Sequence, residues 1–338
     1  EEFLLAVCDA VRKGNGMPQL INDGVFIQGL RNIGVSLEDA RDYAVEGCVE
    51  GTPLDAWGRG NGGYFNLIKV LEMTLNNGKC GITGKLITIE TGDAHDFKTF
   101  EEFQTAYTRQ MEYCVRQLVM WNNIIDHIHK ELMPVPLVSM LIGGCMESGK
   151  DVTEGGAKYN WTGPPTVGIA NVGNSVYTIK HLVFGKNYCT MKELVDALQS
   201  DWENAENLRQ YICNRVEKYG NDVPEVDAMV RWAIDTYLDQ IARYETYRGG
   251  PFIGGLVPVS SYVGFGLTTG ATPDGRKSGE PLADGISPAN GTDVKGLTAV
   301  LKSVTKLNHF RCQNGVILNV KLNPTSVETE EGMKRWLS

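Results

Sequence analysis

The stretch Gly47-Cys48-Val49-Glu50 stands between a segment with helix signals, residues 37–43, and a glycine-rich loop, residues 58–64. If the stretch is extended, alternation sends the side chains of Cys48 and Glu50 to one side and that of Val49 to the other. A sulfur and a carboxylate would then face the same small volume. This pairing suits chemistry in which one atom removes hydrogen from carbon while a nearby base removes a proton. The ordinary alternative is a buried cysteine followed by a surface glutamate.

The Gly-Cys-Val-Glu stretch resembles the active-site cysteine motif of the glycyl radical enzymes, in their dehydratase and lyase subgroup. Several further stretches resemble segments of that family and follow in the family's order: residues 22–23, 75–78, 149–160, 168–175 and 271–285. These motifs are long and spread along the whole chain, so the match is specific. The resemblance implies an α/β fold in which this chain forms part of the family's ten-stranded α/β barrel.

The resemblance also implies the chemistry. Cys48, as a thiyl radical, would take hydrogen from a substrate carbon and return it to the product, and Glu50 would be the general base. The radical is implied to come from a backbone glycyl radical that a separate activating enzyme installs with S-adenosylmethionine and an iron-sulfur cluster. The family's radical glycine lies in an Arg-Val-x-Gly-Tyr-like loop that this sequence lacks. We therefore expect a fragment, with no bound cofactor and with the radical glycine outside the chain.

The loop after the cysteine bears on the substrate. Polyol dehydratases of the family carry an aspartate there, whereas this chain has Asn61-Gly62-Gly63-Tyr64. Tyr64 is placed where its hydroxyl group would hydrogen-bond a substrate, as in imino-acid-cleaving members, and Asn61 is a second substrate-binding candidate. The alternative for Tyr64 is an aromatic residue that merely begins a helix. The resemblance thus favours a lyase that cleaves a C-O or C-N bond of a small hydroxylated or aminated metabolite.

Other functions stay open at this point. Within the family, a decarboxylase or a formate C-acetyltransferase-like activity is an alternative. From another class, Cys48 would be a polar nucleophile with a histidine partner, which predicts oxygen-tolerant activity. From a third, the chain would be a non-catalytic binding fragment, and Cys48→Ala would leave its binding unchanged.

Composition limits the partners. The net charge of -9 argues against a nucleic-acid or anionic-membrane surface, and no apolar run reaches membrane-spanning length. The eight cysteines are dispersed, without a Cys-x-x-Cys pair or zinc-ligand spacing, so we expect no metal site and a reduced, cytoplasmic setting. The expected partners are a small-molecule substrate and the activating enzyme, and the resemblance implies a homodimer.

Periodicity predicts parallel strands joined by crossover helices. Helices are predicted at residues 2–13, 24–32, from Ser36, 64–77, 99–132, beyond 171, from Thr190 and within 203–246, the last with its charges on a solvated face. Short strands are predicted at residues 17–23, 137–142, 166–171, 256–260 and 315–320. The rise in Gly, Pro, Ser and Thr after residue 248 predicts two modules: 1–248 as the barrel portion with the cysteine loop, and 249–338 as the start of the glycine-radical domain.

Overall fold

The computed structural model of the protein describes residues 2–14 and 19–337. Its strands are β1 (Tyr43–Glu46), β2 (Glu50–Pro53), β3 (Ala56–Arg59), β4 (Phe65–Asn66), β5 (Tyr159–Thr162) and β6 (Thr166–Val167). Its α-helices are α1 (Glu2–Arg12), α2 (Asp23–Asn32), α3 (Leu37–Arg41), α4 (Leu67–Leu75), α5 (Phe100–Leu132), α6 (Pro136–Ser139), α7 (Cys145–Ser148), α8 (Ile169–Thr178), α9 (Met191–Gln199), α10 (Glu206–Arg215), α11 (Pro224–Ile241), α12 (Ser261–Leu267), α13 (Leu297–Val304) and α14 (Glu330–Leu337). A π-helical segment, Ile179–Gly185, continues α8.

Four extended segments lie side by side and run parallel. β3 pairs with β5 and β4 pairs with β6. Beyond them, Thr162 bridges to Phe252 and Leu256 bridges to Val316, both in parallel orientation. Parallel neighbours need long crossover connections, and helices such as α5 and α11 supply them. The predicted parallel arrangement is therefore present, as a portion of a curved sheet with helices outside.

Two strands break the parallel order. β1 and β2 form an antiparallel hairpin, with Tyr43 opposite Pro53 and Glu46 opposite Glu50. The hairpin follows α3 and leads directly into β3. This arrangement places residues 47–49 at its turn, next to the sheet portion that carries the glycine-rich loop.

Helix α5 is the longest helix and shows how the sequence builds the core. The Thr99 hydroxyl accepts a hydrogen bond from the Glu102 N-H at 3.2 Å and so caps the first turn. Fully buried side chains recur every three to four residues on one face and join a core shared with α4, α8 and α11. They include Phe103, Tyr107, Met111 and Val115.

Helix caps predicted from the sequence are confirmed. Ser36 accepts from the Asp39 N-H at the start of α3, and Thr190 forms a capping box with Glu193 at the start of α9. Asp39 also accepts hydrogen bonds from the Lys158 ammonium at 2.8 Å and the Tyr159 hydroxyl at 2.6 Å. These donors hold the pKa of the Asp39 carboxyl well below its usual range and tie α3 to β5.

Several predicted strands are wrong or shorter than expected. Residues 137–142 form the end of α6 and a turn, with Leu137 72% and Leu141 77% exposed. Residues 17 and 18 of the strand predicted at 17–23 lie outside the described residues, and the part from residue 19 is irregular up to Asn22, which caps α2. The strand predicted at 166–171 ends at Val167. Of the strands predicted at 256–260 and 315–320, a parallel bridge joins Leu256 to Val316.

Two predicted helices also differ from the structure. Residues 65 and 66 are strand β4, so the helix expected from residue 64 begins at Leu67 with Asn66 as its cap. The run 203–246 divides into α10 and α11, and α11 is largely buried, including its acidic residue Asp227. Within the described residues, no helix combines the length and the apolar character that a membrane span requires. The module boundary expected near Arg248 stays a prediction.

Candidate active site

Cys48 lies at the tip of the β1–β2 hairpin, in the turn formed by residues 47–49. Gly47 has φ 64°, a left-handed backbone conformation that glycine adopts without strain and that lets the chain reverse here. The prediction of extended backbone through Cys48 is therefore wrong for residues 47–49. The turn leaves the Cys48 side chain exposed in this chain.

Glu50 is 5% exposed, and its carboxylate lies against the turn. Its Oε2 atom accepts hydrogen bonds from the backbone N-H of Cys48 at 3.0 Å and of Val49 at 2.8 Å. In the described part of the chain, Oε1 accepts no hydrogen bond. Glu50 thus holds the cysteine turn through one oxygen and keeps the other available.

The glycine-rich loop presses on Glu50 from the opposite side. A Cβ atom at Gly60 would lie 3.0 Å from the Glu50 Cγ atom, tighter than an ordinary contact. The loop is fixed by Asn314, 1% exposed, whose Nδ2 donates to the carbonyls of Gly60 at 2.8 Å and Gly163 at 2.9 Å. Asn122 donates to the Gly62 carbonyl at 2.6 Å. Buried amide groups therefore position this wall of the site.

Tyr64 is half-buried at the end of the glycine-rich loop. Burial raises the pKa of its phenol, and the negative charges of Glu50 and Cys48 raise this pKa further. Glu50 therefore contacts the cysteine turn directly, and Tyr64 lies within electrostatic range of Glu50 and Cys48. Tyr64 precedes β4 rather than beginning a helix. Asn61 is exposed, and no hydrogen bond among the described residues joins its side chain to those three.

An ion network underlies β3 and β5. Asp126 of α5 pairs with Arg59 at the end of β3 and, at 3.2 Å, with the Arg248 Nε atom. The Arg248 guanidinium also donates to the carbonyls of Trp57 and Trp161, each at 2.8 Å. Burial lowers the pKa of Arg248, and the Asp126 charge opposes this shift. One carboxylate therefore forms ion pairs with two guanidinium groups, one of them at the end of β3.

Sequence reasoning missed Glu46, the residue opposite Glu50 in the hairpin. Its Oε2 atom accepts a hydrogen bond from the Thr52 hydroxyl at 3.1 Å. Glu46 is exposed as a residue, yet desolvation of its carboxyl group raises its pKa, and the Glu50 charge adds to the rise while the Thr52 bond opposes it. A prediction of β1 and β2 as a hairpin around Gly47 would have placed Glu46 beside Glu50.

Metal-ligand geometry is not seen in the described residues: no group of three or more His, Cys, Asp or Glu side chains could hold an ion there. Among the same residues, His127 bonds to Tyr247 and His309 to the Val304 carbonyl, and no histidine is hydrogen-bonded to Cys48. Among the described residues, the carboxylate that contacts the cysteine turn is that of Glu50, with Glu46 opposite Glu50 in the hairpin.

Comparison with known proteins identifies the family of this chain. The family model described as pyruvate formate lyase-like matches residues 1–266, and that described as glycine radical matches residues 282–338. The chain belongs to the pyruvate formate lyase-like family of glycyl radical enzymes. The predicted family is therefore confirmed.

Named relatives of this family are dehydratases and lyases. The chain is 38% identical to (2S)-3-sulfopropanediol dehydratase of Klebsiella oxytoca. The match includes 100% of this chain and 42% of that protein. It is 36% identical to trans-4-hydroxy-L-proline dehydratase of Clostridioides difficile, with 98% of this chain and 42% of that one covered. The chain thus spans less than half the length of the curated relatives it matches.

A solved relative confirms the predicted fold. The glycerol-bound form of the B12-independent glycerol dehydratase from Clostridium butyricum is 42% identical and superposes with a TM-score of 0.96. The superposition covers 99% of this chain and 42% of that one. This chain is therefore an α/β portion of the glycyl radical enzyme barrel.

Proposed function

We propose that this chain carries the cysteine turn of a glycyl radical-dependent lyase, which cleaves a C-O or C-N bond of a small hydroxylated or aminated metabolite. The observation that supports it most is the joint position of Cys48, Glu50 and Tyr64, with Oε1 of Glu50 left available. The names of the relatives support the same reaction class.

Each residue of the site would have its own role in the reaction. Cys48, exposed at the turn, would take a hydrogen atom from a substrate carbon that carries a hydroxyl or amino group. Glu50 would receive the proton of that group on Oε1, because Oε2 is held by the turn. The Tyr64 hydroxyl would hydrogen-bond the substrate, and Asn61 would contact it from the loop. The bond to the neighbouring leaving group then breaks, and the product takes the hydrogen atom back from Cys48.

A glycyl radical would supply the unpaired electron that the Cys48 thiol lacks, and the match of residues 282–338 to the glycine radical model supports its use. The exposed thiol fits this relay, since a side chain at the tip of a turn can be approached by a second loop. We extend the proposal to activation by an enzyme that uses S-adenosylmethionine and an iron-sulfur cluster, to a homodimer, and to a cytoplasmic location.

The test uses the complete enzyme, activated without oxygen and offered glycerol, trans-4-hydroxy-L-proline and (2S)-3-sulfopropanediol as probes. Electron paramagnetic resonance measures the organic radical, and product analysis measures turnover. We expect Cys48→Ala to keep the radical signal and to lose turnover. Cys213→Ala, which alters another exposed cysteine, is the matched control and should keep both. Turnover by Cys48→Ala, or turnover in air without activation, would contradict the proposal.

A further inference from the structure

Two carboxyl groups flank the cysteine turn. Glu46 ends β1 and pairs directly with Glu50, the first residue of β2. Side chains that lie opposite each other in an antiparallel pair stand on the same face. Thr52, two residues beyond Glu50, shares that face and bonds to Glu46 at 3.1 Å. The turn that carries Cys48 is therefore flanked by Glu46 at the end of one strand and Glu50 at the start of the next.

Two like charges in this position repel each other. Among the described residues, no lysine or arginine forms an ion pair with Glu46 or Glu50. A single proton held by the pair removes the repulsion, as in other sites where two carboxyl groups meet. The strand pairing thus creates a site for one acid and one base.

The hydrogen bonds assign the proton within the pair. Two backbone N-H groups donate to Oε2 of Glu50, and such donors bind a carboxylate more strongly than a carboxylic acid. Glu46 accepts one hydrogen bond, which the Thr52 hydroxyl donates. A proton shared by the pair therefore sits on Glu46, which accepts one side-chain hydrogen bond where Glu50 accepts two backbone ones. The raised pKa of Glu46 agrees with this assignment.

We propose that Glu46 is a second catalytic carboxyl group, which protonates the departing hydroxyl or amino group while Glu50 receives the proton of the adjacent hydroxyl. This inference rests on the proposed function of the cysteine turn. It distinguishes the two carboxyl groups by role: Glu50 serves the carbon at which Cys48 acts, and Glu46 serves the neighbouring carbon.

For a vicinal diol, one hydrogen atom and two protons are transferred. The hydrogen atom of the first C-H bond moves to the Cys48 sulfur, and the proton of the hydroxyl on that carbon moves to Glu50. The neighbouring C-O bond breaks with its electron pair, and its oxygen takes the Glu46 proton and leaves as water. The remaining carbon radical recovers a hydrogen atom from Cys48. The proton on Glu50 then returns to Glu46 across the strand pair, so no external oxidant or reductant is consumed.

The test separates hydrogen abstraction from loss of the leaving group. The complete activated enzyme turns over its probe substrate in D2O, and mass spectrometry measures deuterium in recovered substrate and in product. In Glu46→Gln the Cys48 thiol still exchanges with solvent and still reacts with the substrate. We expect kcat to fall about 10²- to 10⁴-fold, the usual contribution of a general acid, while deuterium still enters the recovered substrate.

Controls make each outcome decisive. Thr52→Val removes the hydrogen bond to Glu46 but keeps its carboxyl group, and its kcat should stay within about tenfold of the wild-type value. A kcat of Glu46→Gln within threefold of wild type, or a loss of deuterium entry together with turnover, would overturn the role of Glu46. Deuterium entry in Cys48→Ala would instead overturn the proposed function.

Discussion

Asp126 is the residue whose replacement should destabilise this protein most clearly. Its side chain is 2% exposed, and that of its partner Arg248 is 1% exposed. Asn at position 126 keeps the size and can still accept a hydrogen bond, but it no longer neutralises the guanidinium. Removing one partner of a buried ion pair costs about 3–5 kcal/mol. The other partner, Arg59, is 23% exposed and can turn toward water, so its share of the loss is small.

The expected loss can be measured on the 338-residue chain by urea unfolding, followed by tryptophan fluorescence. Trp57 and Trp161 supply two of the carbonyls that Arg248 binds, so the signal reports on this region. Against a typical stability of about 5–15 kcal/mol, a loss of 3–5 kcal/mol is a large shift of the urea midpoint.

The matched control is Glu112→Gln, an exposed acidic residue of the same helix. A surface change of this kind alters the free energy of unfolding by about 0.5 kcal/mol or less. If Asp126→Asn lowers the free energy of unfolding by less than about 1 kcal/mol, the pair is not a buried electrostatic centre and the reasoning fails.

Three further outcomes are expected. Asn314→Ala removes two hydrogen bonds to backbone carbonyls at the glycine-rich loop. The free energy of unfolding should therefore fall by about 2–4 kcal/mol in the same urea titration. A negligible change would argue that Asn314 does not anchor the loop. In Glu50→Gln the pKa of Tyr64 should move back toward its ordinary value, because a negative charge that opposes the phenolate is gone. Ultraviolet titration measures this pKa, with the variant that also carries Tyr64→Phe as the reference. An unchanged pKa would mean that the two groups are too far apart to interact. The depressed pKa of Asp39 stabilises the fold above the unfolded-state pKa of about 3.9, and this contribution is lost as pH falls through the folded-state pKa. The difference in thermal midpoint between wild type and Asp39→Asn should therefore be widest near neutral pH and shrink in acid, whereas a difference that widens in acid would contradict the assignment.

The sequence predicts the helices better than the strands. Thr190 signals a helix start through local chemistry that needs no tertiary contact, and its capping box with Glu193 occurs as predicted. The apolar run 137–142 has no such signal, and a short apolar run fits a buried strand and a helix equally well. Its exposed Leu137 and Leu141 show that apolar character alone did not decide burial.

The sequence proposes residues for the candidate site but does not predict the backbone geometry around them. The motif resemblance identifies Cys48 and Glu50, and the structure brings both close to Tyr64. The extended backbone assumed at the motif did not allow for a reversal at Gly47, and alternation therefore placed the Glu50 carboxylate wrongly relative to the turn. Asn314 lies more than two hundred residues along the chain from the loop it anchors, and no local pattern could connect them.

The parallel strand pairings slow the folding of this chain. Ala56 meets Tyr159, Thr162 meets Phe252 and Leu256 meets Val316, so each pairing must close a loop that contains whole helices. Such distant contacts are reached late in folding, because the entropy of loop closure is lost before the contacts form. The hairpin around Cys48 is local and can form early. The glycine-rich loop beside it is anchored only after Asn314, far along the chain, has reached it. Newly made protein would therefore form the cysteine turn before the glycine-rich loop is anchored against Glu50.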